Sequence, residues 1–391
     1  MLPDTARWLV SDEGREVLAR PIDPDSLGDA ERLRREFDDD RAAAVTSQVA
    51  LRRKARAKFG DDAAAMFFTS AGLEQASRPE VSAWRASRFS SEGVGSVVDL
   101  GCGIGADAMA LVRAGIAVRP VEIDRVTAVF AQANLGMRVE VADATTVPIG
   151  GDEAVFIDPA RRTARGRTWR VEDFTPAWDF VVSLLHDRVA CVKLGPGVPK
   201  SLLPDDVATT WVSVRGDVVE ASVWSIGDPG SRSAVLLPGG FTLAGSSDGP
   251  LLPAAEPAVG DIVLEPDGAI IAAGLVDTLA AGLGARRIHP GIAYLVSDSV
   301  PSTAATAFLV DEALPYNEKT LRAWVRANHI GTLEIKKRGI DIDPAVLRKR
   351  LRTQGPNSAT LILTPTPRGS VALVVRRCVG GEHEHHRWHS A

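Results

Sequence analysis

Val97-Val98-Asp99-Leu100-Gly101-Cys102-Gly103-Ile104-Gly105-Ala106-Asp107 is the stretch on which the reading of this chain turns. Two β-branched residues lead into an acid, glycine recurs at every second position, and the apolar run Ala108-Met109-Ala110-Leu111-Val112 follows. That order predicts a buried strand, a tight turn and a helix. Glycine at 101, 103 and 105 lets the chain turn sharply and lets a ligand approach main-chain N–H groups with no Cβ between. The first turn of the helix adds N–H donors that have no partner inside it. Together these predict the nucleotide-holding end of an open α/β sheet.

Outward from that turn, strands and helices alternate. Strands are expected at 96–100, 117–123, 138–141, 154–157 and 189–194, then at 211–214, 218–225 and 233–237. Alternation of this kind implies a mostly parallel sheet. The second strand ends Val121-Glu122-Ile123-Asp124, where a carboxylate can accept from both ribose hydroxyls of an adenosine cofactor. Asp124 sits nearer a helix start, which favours an acid in any case. The fourth strand ends Ile157-Asp158-Pro159-Ala160-Arg161-Arg162. Proline fixes φ there, so the corner is rigid. A plain strand-end turn uses the same residue types. Arg161, Arg162, Arg165, Arg167 and Arg170 make the following loop basic, which suits a phosphate-bearing substrate.

The pattern Asp99-Leu100-Gly101-Cys102-Gly103-Ile104-Gly105-Ala106-Asp107 closely resembles the glycine loop of class I S-adenosylmethionine-dependent methyltransferases, whose motifs cover about 69–197 here. The resemblance implies a Rossmann-like α/β sheet and a role for each acid. Asp99 would organise the loop and the methionine end of the cofactor, with Gly101, Gly103 and Gly105 passing along it. Glu122 would take the ribose, and Asp143, after the third strand, the adenine amino group; a turn residue is the alternative for Asp143. Asp158-Pro159 resembles the corner that methyltransferases acting on nucleic acids place beside the methyl group. Ala160 replaces that corner's second proline and Arg161 its aromatic, although a planar guanidinium can also stack on a base. Phe68-Thr69 resembles the Phe/Tyr-Thr-Pro element of nucleic-acid amino-methyltransferases, with Ser70 in place of proline. Thr69 also suits a plain helix cap. Gly103, Gly105 and Ala108 satisfy a relaxed G-x-G-x-x-A pattern too, which keeps an NAD oxidoreductase as a rival. Cys191 lies in an apolar run and reads as a packed thiol, which sets aside chemistry on pyrimidine carbon.

The C-terminal stretch Leu333-Glu334-Ile335-Lys336-Lys337-Arg338-Gly339-Ile340-Asp341-Ile342-Asp343-Pro344 resembles the THUMP-like domain attached to a group of bacterial class I methyltransferases. THUMP domains proper present RNA to methyltransferases, so RNA is implied by analogy. Basic residues far outnumber acids over 331–377, as phosphate positioning or a solvated surface would each require. Along a strand Lys336 and Arg338 should point together and Lys337 opposite.

With 391 residues, 45% hydrophobic and 24% charged, the chain reads as an ordinary globular protein of two or three domains. A net charge of −5 argues against coating nucleic acid by charge alone and leaves room for a local basic patch. Cys102, Cys191 and Cys378 form no C-x-x-C pair, which excludes a disulfide scaffold or zinc ribbon. No signal-peptide pattern opens the chain, and no apolar run approaches the ~20 residues of a membrane span. A cytoplasmic protein with no membrane partner is expected. The expected organisation is a helical region at 1–93, a cofactor-binding sheet domain at 94–240, a connecting region at 241–300 and a small α+β domain at 301–379. Arg52, Arg53, Lys54, Arg56 and Lys58 in the helix at 42–59 form either a solvated face or a phosphate surface. A tail at 380–391, with His383, His385, His386 and His389, is expected to be disordered rather than a metal site.

These readings converge on an S-adenosylmethionine-dependent methyltransferase that N-methylates an RNA base. Asp158, Pro159 and Arg161 are expected at the reacting centre, and Lys336, Lys337 and Arg338 on the RNA. A small-molecule or protein methyltransferase and a catalytically silent RNA-binding protein are the alternatives.

Overall fold

A computed structural model describes residues 1–160, 162–163, 166–167, 169–245, 254–300 and 303–378. The chain forms two compact units, Met1–Ala208 with Glu220–Gly230, and Thr209–Val219 with Ser231–Ala391.

The first unit opens with helices α1 (Pro3–Val10), α2 (Asp12–Leu18), α3 (Leu27–Glu36), α4 (Asp39–Phe59), α5 (Ser70–Gln75) and α6 (Pro79–Ser91). Ser11, Ser26, Asp38 and Thr69 cap four of them, each accepting from a backbone N–H that the helix itself leaves unpaired. Pro3 and Pro79 stand in first turns, where a missing N–H is harmless.

The sheet follows with β1 (Ser96–Leu100), α7 (Ala106–Arg113), β2 (Ala117–Glu122), α8 (Arg125–Leu135), β3 (Glu140–Val141) and β4 (Ala154–Ile157). After the short pair β5 (Arg162–Thr163) and β6 (Gly166–Arg167) come α9 (Trp178–Asp187) and β7 (Ala190–Leu194). Strands β3, β2, β1, β4 and β7 lie side by side in that order, all parallel. Two further strands, β8 (Ala208–Val214) and β9 (Asp217–Trp224), are joined by the turn Arg215-Gly216. The last residues of β9 pair antiparallel with β7, Cys191 opposite Trp224. β1 and β4 are neighbours in space and not in sequence, so the sheet changes direction of growth between them. A ligand crevice opens at the carboxyl ends of strands at such a point.

The N-terminal helices cover α8. Trp8, Leu9, Val17, Leu33 and Val45 pack with Phe67 and Phe130. On the sheet, Phe89, Val97, Phe156, Cys191 and Trp224 form a second core.

In the second unit β10 (Arg232–Leu237) runs parallel to β8, and β11 (Phe241–Gly245) antiparallel to β10. The described residues of the stretch expected as a connecting region form β11, β12 (Ile262–Pro266), α10 (Gly268–Ala273), α11 (Val276–Leu283), β13 (Arg286–Arg287) and β14 (Leu295–Ser297). Its glycines and prolines hid these short elements, although Asp267 and Gly274 cap α10 in the ordinary way. Then follow β15 (Ala305–Pro315), α12 (Glu318–Ala327), β16 (Ile330–Lys337), α13 (Pro344–Leu351), β17 (Asn357–Thr366) and β18 (Gly369–Arg377). That is the β-α-β-α-β-β order expected for the C-terminal module. Its sheet runs β13-β14-β12-β15-β18-β17-β16, so β12 to β14 extend the module beyond its expected start. Leu321 and Leu347 of the helices pack on Leu333, Leu361 and Leu363 of one face, and Tyr294, Phe308, Ile362 and Leu373 form the core on the other. The expected boundary after residue 240 thus falls inside the second unit, and the units divide at the start of β8, within β9 and before β10.

Candidate functional site

The turn after β1 has the conformation its glycines allow. Gly101, Gly103 and Gly105 take φ of 79°, 57° and 84°. A Cβ on Gly101 or Gly103 would meet nothing within 4 Å, whereas one on Gly105 would come within 3.0 Å of Leu135. The first two are therefore held glycine by backbone conformation and border open space, and the third by packing as well. The N–H groups of Gly101 and Cys102 both donate to the Val121 carbonyl, at 2.8 and 2.9 Å, which lays the loop across the end of β2.

Glu122 braces the same loop. Its Oε2 accepts from Gly103 N and its Oε1 from Asp124 N, each at 2.9 Å. Burial pushes its pKa up, against the pull of those donors. Asp99 is 1% exposed, and its Oδ2 is buried without a partner. Burial, reinforced by the nearby Asp107 charge, drives the Asp99 pKa well above the usual carboxylate range. An orphaned acid beside open glycines is a place for a ligand that brings its own donors.

Thr69 caps α5, its hydroxyl accepting from Gly72 N at 3.0 Å. The segment before it is clamped twice. The Gln48 side chain exchanges bonds of 2.8 and 2.9 Å with Phe68, and Asn134 bonds both backbone groups of Phe67 and the carbonyl of Ile104 in the glycine loop. Gly72 admits the close approach, since a Cβ there would stand 2.5 Å from the Ile104 side chain.

At the end of β4, Asp158 is accessible and Pro159 buried. Lys193 of β7 donates to Asp158 Oδ2 at 2.7 Å and to the Gln75 carbonyl at 3.1 Å. Behind them Arg85 pairs with both Asp107 and Glu220, its guanidinium 4.5 Å from the Phe156 ring. Ser77 and Ser82 each donate to Asp107 at 2.8 Å. Burial alone would discharge Lys193, but Asp158, Asp107 and Glu220 outweigh it and hold its pKa up. Arg161 and Arg165 lie outside the described residues. Cys191 is buried, and burial pushes its thiol up to about 12, so it is no nucleophile at neutral pH.

The remaining expected site residues divide. Asp143 is exposed, and its Oδ1 accepts from Thr145 N at 2.9 Å and from Thr145 Oγ1 at 2.7 Å, holding the turn after β3 and lowering its pKa. Lys336 and Arg338 do point together, as the strand period requires, but inward to one carboxylate. Lys336 reaches Glu265 at 2.8 Å and Arg338 at 3.5 Å, while Lys337 is exposed. The basic run of α4 is likewise engaged. Arg52 donates to the Met66 carbonyl, Arg53 pairs with Asp25, and Lys58 donates to the carbonyls of Leu73 and Ala76. The histidine tail lies outside the described residues.

Sequence reasoning missed Gln48, Arg85, Asn134 and Glu265, which act on partners far away in the chain; Lys193-Leu194-Gly195-Pro196-Gly197, at the end of a strand, reads equally as a border of the substrate mouth and as a structural turn.

A parallel sheet thus changes direction between β1 and β4, with left-handed glycines at one strand end and an Asp-Pro corner at the next. Residues 305–377 match the THUMP domain-like family, and residues 3–55 match a domain of unknown function (DUF8688). Over 351 residues the chain is 34% identical to uncharacterized S-adenosylmethionine-dependent methyltransferases of two Mycobacterium tuberculosis strains, covering 86% of this chain and 96% of each relative. The chain belongs to the S-adenosylmethionine-dependent methyltransferases. A crystal structure of a candidate methyltransferase from Porphyromonas gingivalis shares the fold, with a TM-score of 0.74 at 22% identity over 96% of this chain and 97% of that one. The cofactor is therefore S-adenosylmethionine and not a dinucleotide. The open glycine turn and the unpartnered Asp99 oxygen fit it. Among the described residues no helix is long and apolar enough to cross a membrane.

Proposed function

We propose that this enzyme N-methylates a base of RNA, with the cofactor on the first unit and the C-terminal module helping to hold the strand. Asp99 faces the methionine end, Gly101, Gly103 and Gly105 line the path, Glu122 takes the ribose and Asp143 the adenine amino group. Thr69 borders the methionine end through its segment's contact with the loop. When bound, S-adenosylmethionine supplies an electrophilic methyl group on a sulfonium centre.

The observation that carries the reading is the Asp158–Lys193 pair at 2.7 Å beside the buried Pro159. Lys193 occupies Oδ2 and keeps the carboxylate aimed. Oδ1 then accepts an N–H of the target amine and turns the nitrogen lone pair toward the methyl donor, a gain in orientation. Arg161 stacks on the base in this proposal. RNA is favoured by the THUMP domain-like match and by the basic surplus of 331–377. Lys336 is held by Glu265 at 2.8 Å, whereas Lys337 is exposed and meets phosphate in this proposal.

The test is mass spectrometry of nucleosides from total RNA of a strain lacking the protein, against its parent. One methylated nucleoside should be missing, restored by the wild type and not by Asp158→Ala, while purified Asp158→Ala still binds S-adenosylmethionine. We expect its turnover to fall at least ~1000-fold, about 4 kcal/mol of transition-state stabilisation. An unchanged RNA profile would move the substrate to a protein or small molecule.

A further inference from the structure

The second unit contains a cavity of about 550 Å³ whose lining includes Ser213, Arg215, Phe241, Glu265, Arg338 and Arg377. That volume falls in the range of small-ligand sites, ~300–1000 Å³. Three guanidinia converge on it, and its carboxylates are already committed. Glu265 is shared between Lys336 and Arg338, and Asp267 caps α10 by accepting from Ala269 N at 2.8 Å.

Arg338, which also packs on the Tyr294 ring, and Arg377 each make one long polar contact at the cavity. Arg338 reaches Glu265 only at 3.5 Å, and Arg377 reaches the Thr306 hydroxyl at 3.5 Å. Charge-assisted bonds normally close to ~2.7–2.9 Å, so both guanidinia keep donors for an anion. Two buried polar atoms lack partners here, Arg338 Nε and the hydroxyl of Ser213, a residue 1% exposed. Buried orphans at a cavity wall mark groups that a ligand would satisfy. Arg215 is brought to the rim by the tight β8–β9 turn at φ 52°, a left-handed conformation that Asn or Gly would adopt more easily. Phe241 and Leu237 add an apolar wall, which a bare inorganic anion would not need.

We propose that this cleft binds the phosphate of a nucleotide through Arg215, Arg338 and Arg377, with Phe241 against the base or sugar, and that it is where the second unit grips the RNA strand. The phosphate chemistry stands on the cavity itself; the identity of the strand rests on the RNA reading above. A free nucleotide offers the same chemistry, and the experiment separates the two.

The full-length protein is titrated into a fluorescein-labelled single-stranded 12-nucleotide RNA of mixed sequence, and separately with AMP by calorimetry. Wild type should bind the RNA, and Arg215→Gln/Arg377→Gln should bind it at least ~10-fold more weakly, with a salt dependence shallower by about 1.4 for two lost phosphate contacts on a single strand. S-adenosylmethionine binding should be unchanged. Because the double variant could be misfolded, the wild type is also treated with phenylglyoxal with and without the 12-mer. Bound RNA should slow modification of Arg377 and Arg338, read by peptide mass spectrometry. RNA binding that is equal in the variant, with no protection of these arginines, overturns the cleft while leaving the RNA reading intact. No RNA binding by wild type, but AMP binding that protects the same arginines, keeps the phosphate site and removes the strand. Protection by neither overturns the proposal.

Discussion

Behind the carboxyl ends of β1 and β4 the ion pairs of Arg85 lie out of water, whereas at the end of β16 the charged groups stay within its reach. Arg85 is 1% exposed and faces Asp107 and Glu220; the Lys336 and Arg338 side chains keep 26% and 33% of their exposure and face Glu265. A buried charge that loses its partner has no solvent to fall back on, while a part-exposed one is screened. The first region thus depends on individual residues, as a site that holds a cofactor must. The second supplies a field to which each residue contributes modestly, as a surface that positions phosphates can.

The sharpest way to break this contrast is to remove one cation from each region. Arg85→Met should lower the free energy of unfolding by about 3–5 kcal/mol, since Asp107 and Glu220 are left buried without a counter-charge. Lys336→Met should lower it by less than ~1 kcal/mol, because Arg338 still faces Glu265 and water reaches the site. Urea unfolding of both variants measures the difference, and equal losses would erase the distinction between the regions.

A smaller effect separates bracing from binding at Glu122. Its two oxygens hold the loop through Gly103 N and Asp124 N. If it also takes the ribose, Glu122→Ala should weaken S-adenosylmethionine by about 1.5–3 kcal/mol, the worth of a hydrogen bond to a charged group, or roughly 10- to 150-fold. Calorimetry reads it. Unchanged affinity would make Glu122 a brace alone.

What could be read in the sequence follows from range along the chain. The glycine turn, the acid-ended strands and the β-α-β-α-β-β order of the C-terminal module are set by residues within a few positions of one another, and they stand where expected. Asp143 and Thr69 were open between turn or cap and ligand contact, and the structure shows each making the local bond that its residue type favours. The alternation that turns Lys336 and Arg338 to one side was legible too. Their partner was not, because Glu265 lies 71 residues before Lys336 and no local pattern links them. Arg85 and Glu220 stand 135 residues apart and Gln48 and Phe68 20, so the cluster behind Asp158 and the clamp on Thr69 could appear only once the chain had folded.

Two neighbouring lysines, Lys193 and Lys58, carry the comparison to its finest scale. Lys193 faces carboxylates and its pKa is held up, whereas Lys58 donates to the backbone carbonyls of Leu73 and Ala76 and is pushed down to about 8 by burial, with Lys193 and Arg78 adding repulsion. A lysine depressed in the folded state binds fewer protons there than in the unfolded chain between about pH 8 and its ordinary 10.5. The unfolded state holds the extra proton, so stability rises with pH across that window. Lys193 works the other way and only above 10.5, so it contributes a constant below that. The stability of the wild type relative to Lys58→Met should therefore grow from pH 7.5 to pH 10, by on the order of 1 kcal/mol once the shift is discounted for a half-buried side chain. Paired urea titrations at the two pH values measure it. A difference that stays flat would mean that the carbonyls of α5 hold Lys58 charged, and that burial alone does not set a cation's fate in this region.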